Sequence, residues 1–389
     1  MRVTMPTIFG SIQNYLLKLA SDLQKENASI VSGKKYQQLS DDPGTISQLL
    51  GMQADSRQVG QYQRNLETAQ EWLEATEKTL DSINQVVQGV IGLANQMATG
   101  TYNTSQRLNA AQQVQGWLEE VMQLGNQQYN GHYILSGYRV DTAPFVETDW
   151  QIQPPVMRRQ AGSTGEASVG GSYTGTTSIS YVVEIVHGGN TGSATFRVSE
   201  DGGQTWSAEQ VTGTNIPIGT RGVLATFSNT WVTGDRFIIS VYKPISYQGD
   251  DHTLEISIGE QSRLAVNEVG SQAVGGTGGE ADLFEILARL KSSLEANDLP
   301  GVAEGLERLK TCQENLSGIL GKLGASQNRV STKSQVYETL NEQLTSTISK
   351  TGDTDLVEAV AALNVKRVAY QAALTASSKV MDLSLLDYI

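Results

Sequence analysis

The stretch that decides the fold is "VGQYQRNLETAQEWLEATEKTLDSINQVVQGVIGLANQM", residues 59–97. Its apolar or small side chains recur at alternating spacings of three and four residues, which is the heptad pattern of helices that pack along one another. A helix with so long an apolar stripe must lie against other helices. The positions of this stripe are Val59, Tyr62, Leu66, Ala69, Leu73, Thr76, Leu80, Ile83, Val87, Val90, Ala94 and Met97.

Helical patterns lie on both sides of this stretch. An N-terminal helix precedes it, and Asp42 followed by Pro43 predicts the N-cap and first turn of the long helix. A shorter amphipathic helix follows at about 108–121. Helix resumes near Asp282, continues as a weaker apolar stripe over 302–344, and ends in a last helix that Asp355 is expected to cap.

The middle of the chain, roughly 139–275, has a different composition. It is rich in Gly, Thr, Ser and β-branched residues, and alternating segments such as "RFIISVYKP" at 236–244 predict antiparallel strands. The glycine-rich "GSQAVGGTGGE" at 270–280 is interpreted as a flexible connector. The predicted fold is therefore mainly α with an inserted β domain, in which the two ends of the chain come together.

Three domains are expected from this layout. Residues 1–40 and 352–389 would form a terminal antiparallel coiled coil. Residues 41–145 and 246–351 would form a bundle of long helices. Residues 146–245 would form the inserted antiparallel β domain, projecting outward from the far end of the bundle.

Composition excludes several classes of protein. The 389 residues carry a net charge of −13, so no basic surface for nucleic acid is expected. The single cysteine, Cys312, cannot form an intramolecular disulfide and lies at helical spacing between leucines, which favours a buried apolar role. No apolar run is long enough to span a membrane, and the N-terminus lacks the pattern of a cleaved signal peptide.

The chain ends in the apolar segment "SSKVMDLSLLDYI", residues 377–389. Two short terminal helices bury little surface against the ordering cost of roughly 1–2 kcal/mol per residue. We therefore expect these helices to be marginal in the monomer and to fold when neighbouring subunits cover them. The predicted assembly interface consists of Phe9, Ile12, Leu16, Leu19, Leu23, Ile30, Leu363, Tyr370, Leu374, Met381, Leu385 and Leu386.

Catalytic chemistry is not indicated. The three histidines have no second ligand at metal-binding spacing, and no catalytic, cofactor-binding or metal-ligating residues are predicted. "SEDGGQTW" at 199–206 fits S-x-D-x-G-x-T-W, a pattern that resembles the Asp-box of sialidases. Because it occurs once, a structural hairpin is favoured over a glycan-processing site. Weak glycan binding by the β domain remains a minor hypothesis.

Several separated motifs resemble the bacterial flagellins and hook-associated proteins. These motifs are "SGKKYQQLSDDPG" at 32–44, "QYNGHYILSGYRVDTAPF" at 128–145, "YQGDD" at 247–251, "LGASQNRV" at 323–330 and "NVKRVAYQAALTASSKVMDLSLLDYI" at 364–389. The "LSLLDYI" end is more similar to hook-associated proteins than to flagellin. The segment from about 146 to 245 resembles nothing assignable with the same specificity.

The resemblance implies a non-enzymatic structural subunit at the junction of the flagellar hook and filament. It implies partners of four kinds: copies of itself, hook-associated protein 1, flagellin, and an export chaperone on the C-terminal helix. It also implies an extracellular location reached through the flagellar type III apparatus. Flagellin is the first alternative, a glycan-active enzyme the second, and a coiled-coil adhesin the third.

Overall fold

The computed structural model describes the backbone of residues 5–278 and 281–386 and the side chains of residues 10–278 and 281–379. The chain divides into two compact units, one formed by residues 1–64 with 333–389 and the other by residues 65–332. The helices are α1 (Met5–Ser32), α2 (Pro43–Met97), α3 (Thr104–Gly125), α4 (Gly270–Ala273), α5 (Leu283–Glu295), α6 (Leu299–Gly352) and α7 (Leu356–Leu386). The long helices α2 and α6 contribute residues to both units. The prediction of a mainly helical chain with an inserted antiparallel β domain is confirmed, whereas the division into three domains stays a prediction.

Helix α2 forms the core of the bundle, as its heptad pattern predicts. Leu66, Leu73 and Leu80 are at most 1% exposed, and the rest of the stripe is buried except for the half-buried Tyr62. In the second unit, Gly89 of α2 lies against the ring of Trp117 in α3, so α2 and α3 approach closely there. Burial of this single stripe explains why the sequence favours long paired helices.

Two predicted N-caps are present. The carboxylate of Asp42 accepts the Thr45 backbone N–H at 3.1 Å, where α2 begins. Asp355 accepts the backbone N–H groups of Val357 and Glu358 at 2.9 and 3.2 Å, where α7 begins. Each carboxylate satisfies amides that have no partner within the helix, which fixes the first turn.

The strands of the chain are short and antiparallel. They are β1 (Gln128–Tyr129), β2 (His132–Tyr133), β3 (Phe145–Glu147), β4 (Gln151–Ile152), β5 (Val156–Arg158), β6 (Glu166–Gly171), β7 (Ile179–His187), β8 (Gly189–Asn190), β9 (Thr195–Ser199), β10 (Gln210–Val211), β11 (Ile216–Ile218), β12 (Val223–Ser228), β13 (Thr230–Trp231), β14 (Arg236–Tyr242), β15 (Ile245–Tyr247), β16 (Glu255–Gly259) and β17 (Ser262–Ala265).

The inserted β domain is built around one sheet. Its strands follow the order β10-β9-β7-β14-β4, with β5 also paired to β14, and a second sheet has the order β11-β12-β6. Alternate side chains of β7 enter the core between them, where Tyr181, Val183 and Ile185 are at most 1% exposed. The intervening residues of β7 point to the opposite face of the sheet, toward α5.

The expectation of a flexible connector at 270–280 is wrong for the described residues 270–278. Gly270 and Ala273 of α4 are buried, and the Asp282 carboxylate accepts the backbone N–H groups of Gly276 and Gly278, each at 2.8 Å. Gly275 has a φ of +115°, and a Cβ added there would lie 2.5 Å from Asp282 Oδ1. The glycines therefore permit close packing around a buried carboxylate.

The single cysteine has the predicted buried position. Cys312 in α6 is 2% exposed, and burial raises the pKa of its thiol to about 12. The thiol is therefore protonated and inert near neutral pH.

Candidate assembly surface

Helices α1 and α7 pair in antiparallel orientation within the first unit. Lys366 Nζ lies 2.6 Å from Glu26 Oε1, which joins the two helices near the C-terminal end of α1. Beyond that end, Thr354 N donates to Gly33 O at 2.9 Å and Lys35 N donates to Gly352 O at 2.8 Å. This pairing places the N- and C-terminal segments of the chain side by side, as their sequences predict.

A charged cluster lies at the junction between the end of α1 and the start of α7. Lys34 Nζ donates to Asp353 Oδ1 at 2.6 Å, and Ser349 Oγ donates to the other oxygen at 2.7 Å. These two hydrogen bonds, that from Lys34 above all, lower the pKa of Asp353. Asp353 is consequently ionised at neutral pH and holds the segment after α1 against the end of α6.

The neighbouring turn is held by a second carboxylate. Asp41 Oδ2 accepts the backbone N–H groups of Gln38 and Gln37 at 2.9 and 3.0 Å, and these bonds lower the pKa of Asp41. Asp41 therefore holds the turn, and Asp42 beside it caps α2.

Most of the predicted interface residues on α1 and α7 are partly covered in the single chain, but none of those with described side chains is buried. Those with half-buried side chains are Ile12, Leu16, Leu19, Leu23, Ile30, Leu363 and Tyr370. Leu374 is 43% exposed. The side chains of Phe9, Met381, Leu385 and Leu386 lie outside the described residues.

The line of contact between the two helices is narrow. Among their described side chains, only Ser29 of α1 and Ala359 of α7 are buried, at 8% and 6% exposure. Small residues let helices approach closely but bury little apolar area. The pair therefore has almost no core of its own.

A second apolar surface on the same helices is uncovered. On α7, Val357, Val365 and Val368 are 82%, 69% and 62% exposed. Val357 and Val368 lie about three turns apart on the side of α7 that faces away from Ala359. On α1, Tyr15 and Leu17 are 58% and 61% exposed.

These exposed residues were missed by the heptad analysis, which selects one stripe only. The signal that could have found them is the composition of α7, which carries apolar residues on every side. A helix of that kind is typically covered all round. The arrangement can therefore dock further helices on the free side of the pair.

The described residues offer no comparable site for chemistry. Among the described side chains, those of residues 10–278 and 281–379, no three His, Cys, Asp or Glu residues are grouped so as to hold a metal ion. None of the helices, as far as they are described, is both long and apolar enough to cross a bilayer. The paired terminal helices are therefore the candidate site.

The parts of the chain that contain these helices match known proteins. Residues 9–140 match the bacterial flagellin N-terminal helical region, and residues 306–389 match the bacterial flagellin C-terminal helical region. Together the two matches cover more than half of the chain. The chain belongs to the bacterial flagellin family. Its family regions contain most of α1 with α2 and α3 at one end and most of α6 with α7 at the other.

Curated relatives of two kinds match this member of the flagellin family. Flagellar hook-associated protein 3 of Escherichia coli is 25% identical over 148 residues, which is 38% of this chain and 47% of the relative. The flagellar filament 41 kDa core protein of Borreliella burgdorferi is 24% identical over 147 residues, or 38% of this chain and 44% of the relative. The chain thus spans about half the length of the curated relatives it matches.

One solved structure has the same fold. A flagellar hook-associated protein of Vibrio parahaemolyticus superposes with a TM-score of 0.51 at 13% identity, covering 80% of this chain and 100% of that chain. At this identity the likeness concerns the fold alone.

Proposed function

We propose that this flagellin-family member is a hook-associated protein 3, the structural subunit that joins the flagellar hook to the filament. The observation that supports this proposal best is the α1–α7 pair, which leaves apolar residues such as Val357 and Val368 in water. A soluble chain that keeps such a surface uncovered needs partners to cover it. In a tubular assembly, neighbouring subunits supply those partners.

In the proposed assembly, the two terminal helices contribute two faces. The inner face is the predicted interface, from Ile12 to Ile30 on α1 and from Leu363 to Leu374 on α7, together with Phe9, Met381, Leu385 and Leu386. The outer face lies on α7 and consists of Val357, Val365 and Val368, and the isolated pair also leaves Tyr15 and Leu17 exposed on two different sides of α1.

The mechanism is assembly coupled to folding. Ordering a residue costs roughly 1–2 kcal/mol in backbone entropy, and a pair whose buried side chains are Ser29 and Ala359 recovers little of that cost. Covering the outer face in the assembly supplies the remaining stabilisation. The terminal coiled coil of residues 1–40 and 352–389 would thus be completed by copies of itself.

The partners follow from the position at the junction. Copies of this chain form the ring, hook-associated protein 1 lies on the hook side, and flagellin lies on the filament side. A cytoplasmic chaperone holds the C-terminal helix before export through the flagellar type III apparatus. The bundle of residues 41–145 and 246–351 forms the wall of the tube, and the β domain of residues 146–245 faces outward.

The decisive experiment is deletion of the gene followed by electron microscopy of the cells. We expect complete hooks without filaments, and flagellin shed into the medium, because filament growth would lack its adaptor. Restoration by the gene on a plasmid is the control. Normal filaments in the deletion strain would refute the proposal.

Flagellin is the alternative, which the match to the filament core protein of Borreliella burgdorferi favours. A flagellin would form long filaments when the purified chain is concentrated or seeded. The junction subunit is expected to stay monomeric until a hook-associated neighbour is added. Sedimentation with and without that neighbour separates the two functions.

Limited proteolysis tests the coupling of folding to assembly. We expect protease to trim the free chain to near residues 40 and 350, and to spare the same ends in the assembled flagellum. Protease-resistant ends in the free chain would contradict assembly-coupled folding without contradicting the location at the junction.

A further inference from the structure

The Asp-box-like turn, residues 199–206 between β9 and β10, lies against the helices of the second unit. Asp201 Oδ1 accepts the backbone N–H groups of Gln204 and Thr205 at 2.9 and 2.8 Å, which closes the turn. Gly202 at its tip has a φ of +71°, and a Cβ there would lie 2.5 Å from the Glu295 carbonyl oxygen of α5. It would also lie 2.9 Å from Thr104 Cγ2 at the start of α3. The turn therefore touches two helix ends with bare backbone.

The last residue of the turn continues this contact. Trp206 packs on a small cluster that contains Ala296, directly after α5, and Val182 and Ile238 from the sheet. The guanidinium of Arg197 lies over the Trp206 ring, 4.3 Å from its centre. The turn and its tryptophan thus fit the C-terminal end of α5.

Hydroxyl groups make most of the adjacent contact between the sheet and α5. Ser292 of α5 hydrogen-bonds Ser180 of β7 at 2.8 Å and also bonds Ser240 of β14. Ser180 Oγ donates to the Glu295 carboxylate at 2.8 Å. Nearby, Lys291 Nζ donates to Ser178 Oγ at 2.5 Å.

An ion pair connects the β domain to the turn between α5 and α6. Arg158 of β5 donates to Asp298 through Nε at 3.0 Å and through Nη2 at 2.7 Å. The Asp298 side chain is 7% exposed. A bidentate pair of this geometry is directional and depends on both partners.

The contact is small beside the core of the β domain. Three buried residues form the cluster at Ala296, whereas fifteen buried residues form the core inside the β domain, so the domain has a core that does not depend on the helices. Beside the contact lies a cleft of about 1080 Å³ that is lined by residues of the sheet, α3 and α5. Small polar contacts between folded parts are typical of domains that can separate.

We propose that the Asp-box-like turn is a docking element that holds the β domain reversibly on the C-terminal end of α5. Gly202 and Trp206 provide the shape complementarity to the end of α5. The Arg158–Asp298 pair and the serine contacts fix the orientation of the β domain. Undocking widens the cleft while the β domain and the helices each stay folded. A docking role needs only one turn of this kind, which agrees with the single occurrence of the motif. The proposal does not depend on the proposed function at the hook–filament junction.

The test measures a distance across the cleft by double electron–electron resonance. Spin labels are placed at Gln112→Cys on α3 and Thr176→Cys on the β domain, two exposed positions that both line the cleft. The buried thiol of Cys312 remains unlabelled because its pKa is raised. Circular dichroism of each variant reports whether the sheet and the helices remain folded.

Gly202→Ala is compared with Gly192→Ala, a matched control in another turn of the same domain. Gly192 has a φ of +90° and no atom within 4 Å of the added Cβ, so the control carries backbone strain without a clash against the helices. We expect one narrow distance in the unchanged chain and in Gly192→Ala. In Gly202→Ala we expect a second population with longer and more broadly distributed distances between the labels. This population should be at least about ten times larger than in the unchanged chain.

Asp298→Asn provides a second, independent variant. It removes the charged partner of Arg158 outside the turn, and we expect the same longer population. Unchanged distances in both Gly202→Ala and Asp298→Asn would overturn the proposal. Loss of the β-sheet signal in both variants would overturn it equally, because the contact would then be part of the fold of the β domain.

Discussion

Replacing the exposed valines of α7 by serine should weaken assembly and leave the free chain intact. Val357 and Val368 expose 82% and 62% of their surface in the single chain. Complete burial of a valine side chain contributes about 1.5–3 kcal/mol. Scaled by these exposures, covering both valines contributes roughly 2–4 kcal/mol per subunit. The double variant Val357→Ser/Val368→Ser should therefore reduce subunit affinity by roughly 30- to 700-fold.

The free chain should tolerate the same change. Exposed substitutions usually shift the free energy of unfolding by no more than about 0.5 kcal/mol, and serine and valine have similar helix propensities. Val211→Ser is the matched control, because Val211 of β10 is 51% exposed and lies in the other unit. It should change neither assembly nor stability.

The assay is complementation of the deletion strain by each variant. Filaments are counted by electron microscopy, and flagellin in the medium is measured by immunoblot at matched levels of the variant protein. We expect few filaments and abundant shed flagellin for the double variant, and wild-type counts for the control. Wild-type filament counts with the double variant would refute the reasoning that α7 is covered by neighbouring subunits.

Three further predictions concern the stability of the single chain. The pKa of Asp353 is lowered in the folded state, so its contribution is present above the ordinary value of 3.8 and is lost as the pH falls through the lower folded pKa. Asp353→Asn should lower the free energy of unfolding by less than about 1 kcal/mol at pH 7, and this difference should shrink as the pH falls below 3.8, as urea titrations would show. Gly125→Ala would place a Cβ 2.6 Å from the Phe145 ring and should lower the free energy of unfolding by about 1–3 kcal/mol. Gly116→Ala in the same helix meets no atom and should raise it by about 0.5–1 kcal/mol. Equal melting temperatures of the two variants would contradict this prediction. Arg107 is 3% exposed and donates to two carbonyl oxygens at the end of α2. Arg107→Met should therefore lower the free energy of unfolding, measured by thermal unfolding, by at least about 2 kcal/mol. A change under about 0.5 kcal/mol would be inconsistent with those bonds.

The helical part of the fold could be predicted because its signals are local. The spacing of Leu66, Leu73 and Leu80 indicates one buried face, and Asp42 and Asp355 mark helix starts through amides a few residues away. The order of the strands could not be predicted in this way. For example, Tyr181 pairs with Ile239 across a long separation in sequence, so their register depends on the tertiary structure.

The errors have physical reasons as well. Glycine usually marks loops, which favours a flexible connector around Gly276, but Asp282 accepts the N–H groups of Gly276 and Gly278 and this partner is invisible in the local pattern. Val357 and Val368 were missed because a heptad analysis selects the face that meets one neighbour. A helix covered on several sides has no single face to select.

The buried thiol of Cys312 has a consequence for the assembly proposed above. An accessible cysteine on each subunit would allow oxidative cross-links between adjacent copies wherever the surroundings are oxidising. A thiol that is 2% exposed, with a pKa of about 12, presents almost no thiolate to start that exchange. Copies of this chain can therefore pack together and come apart without becoming covalently joined through sulfur.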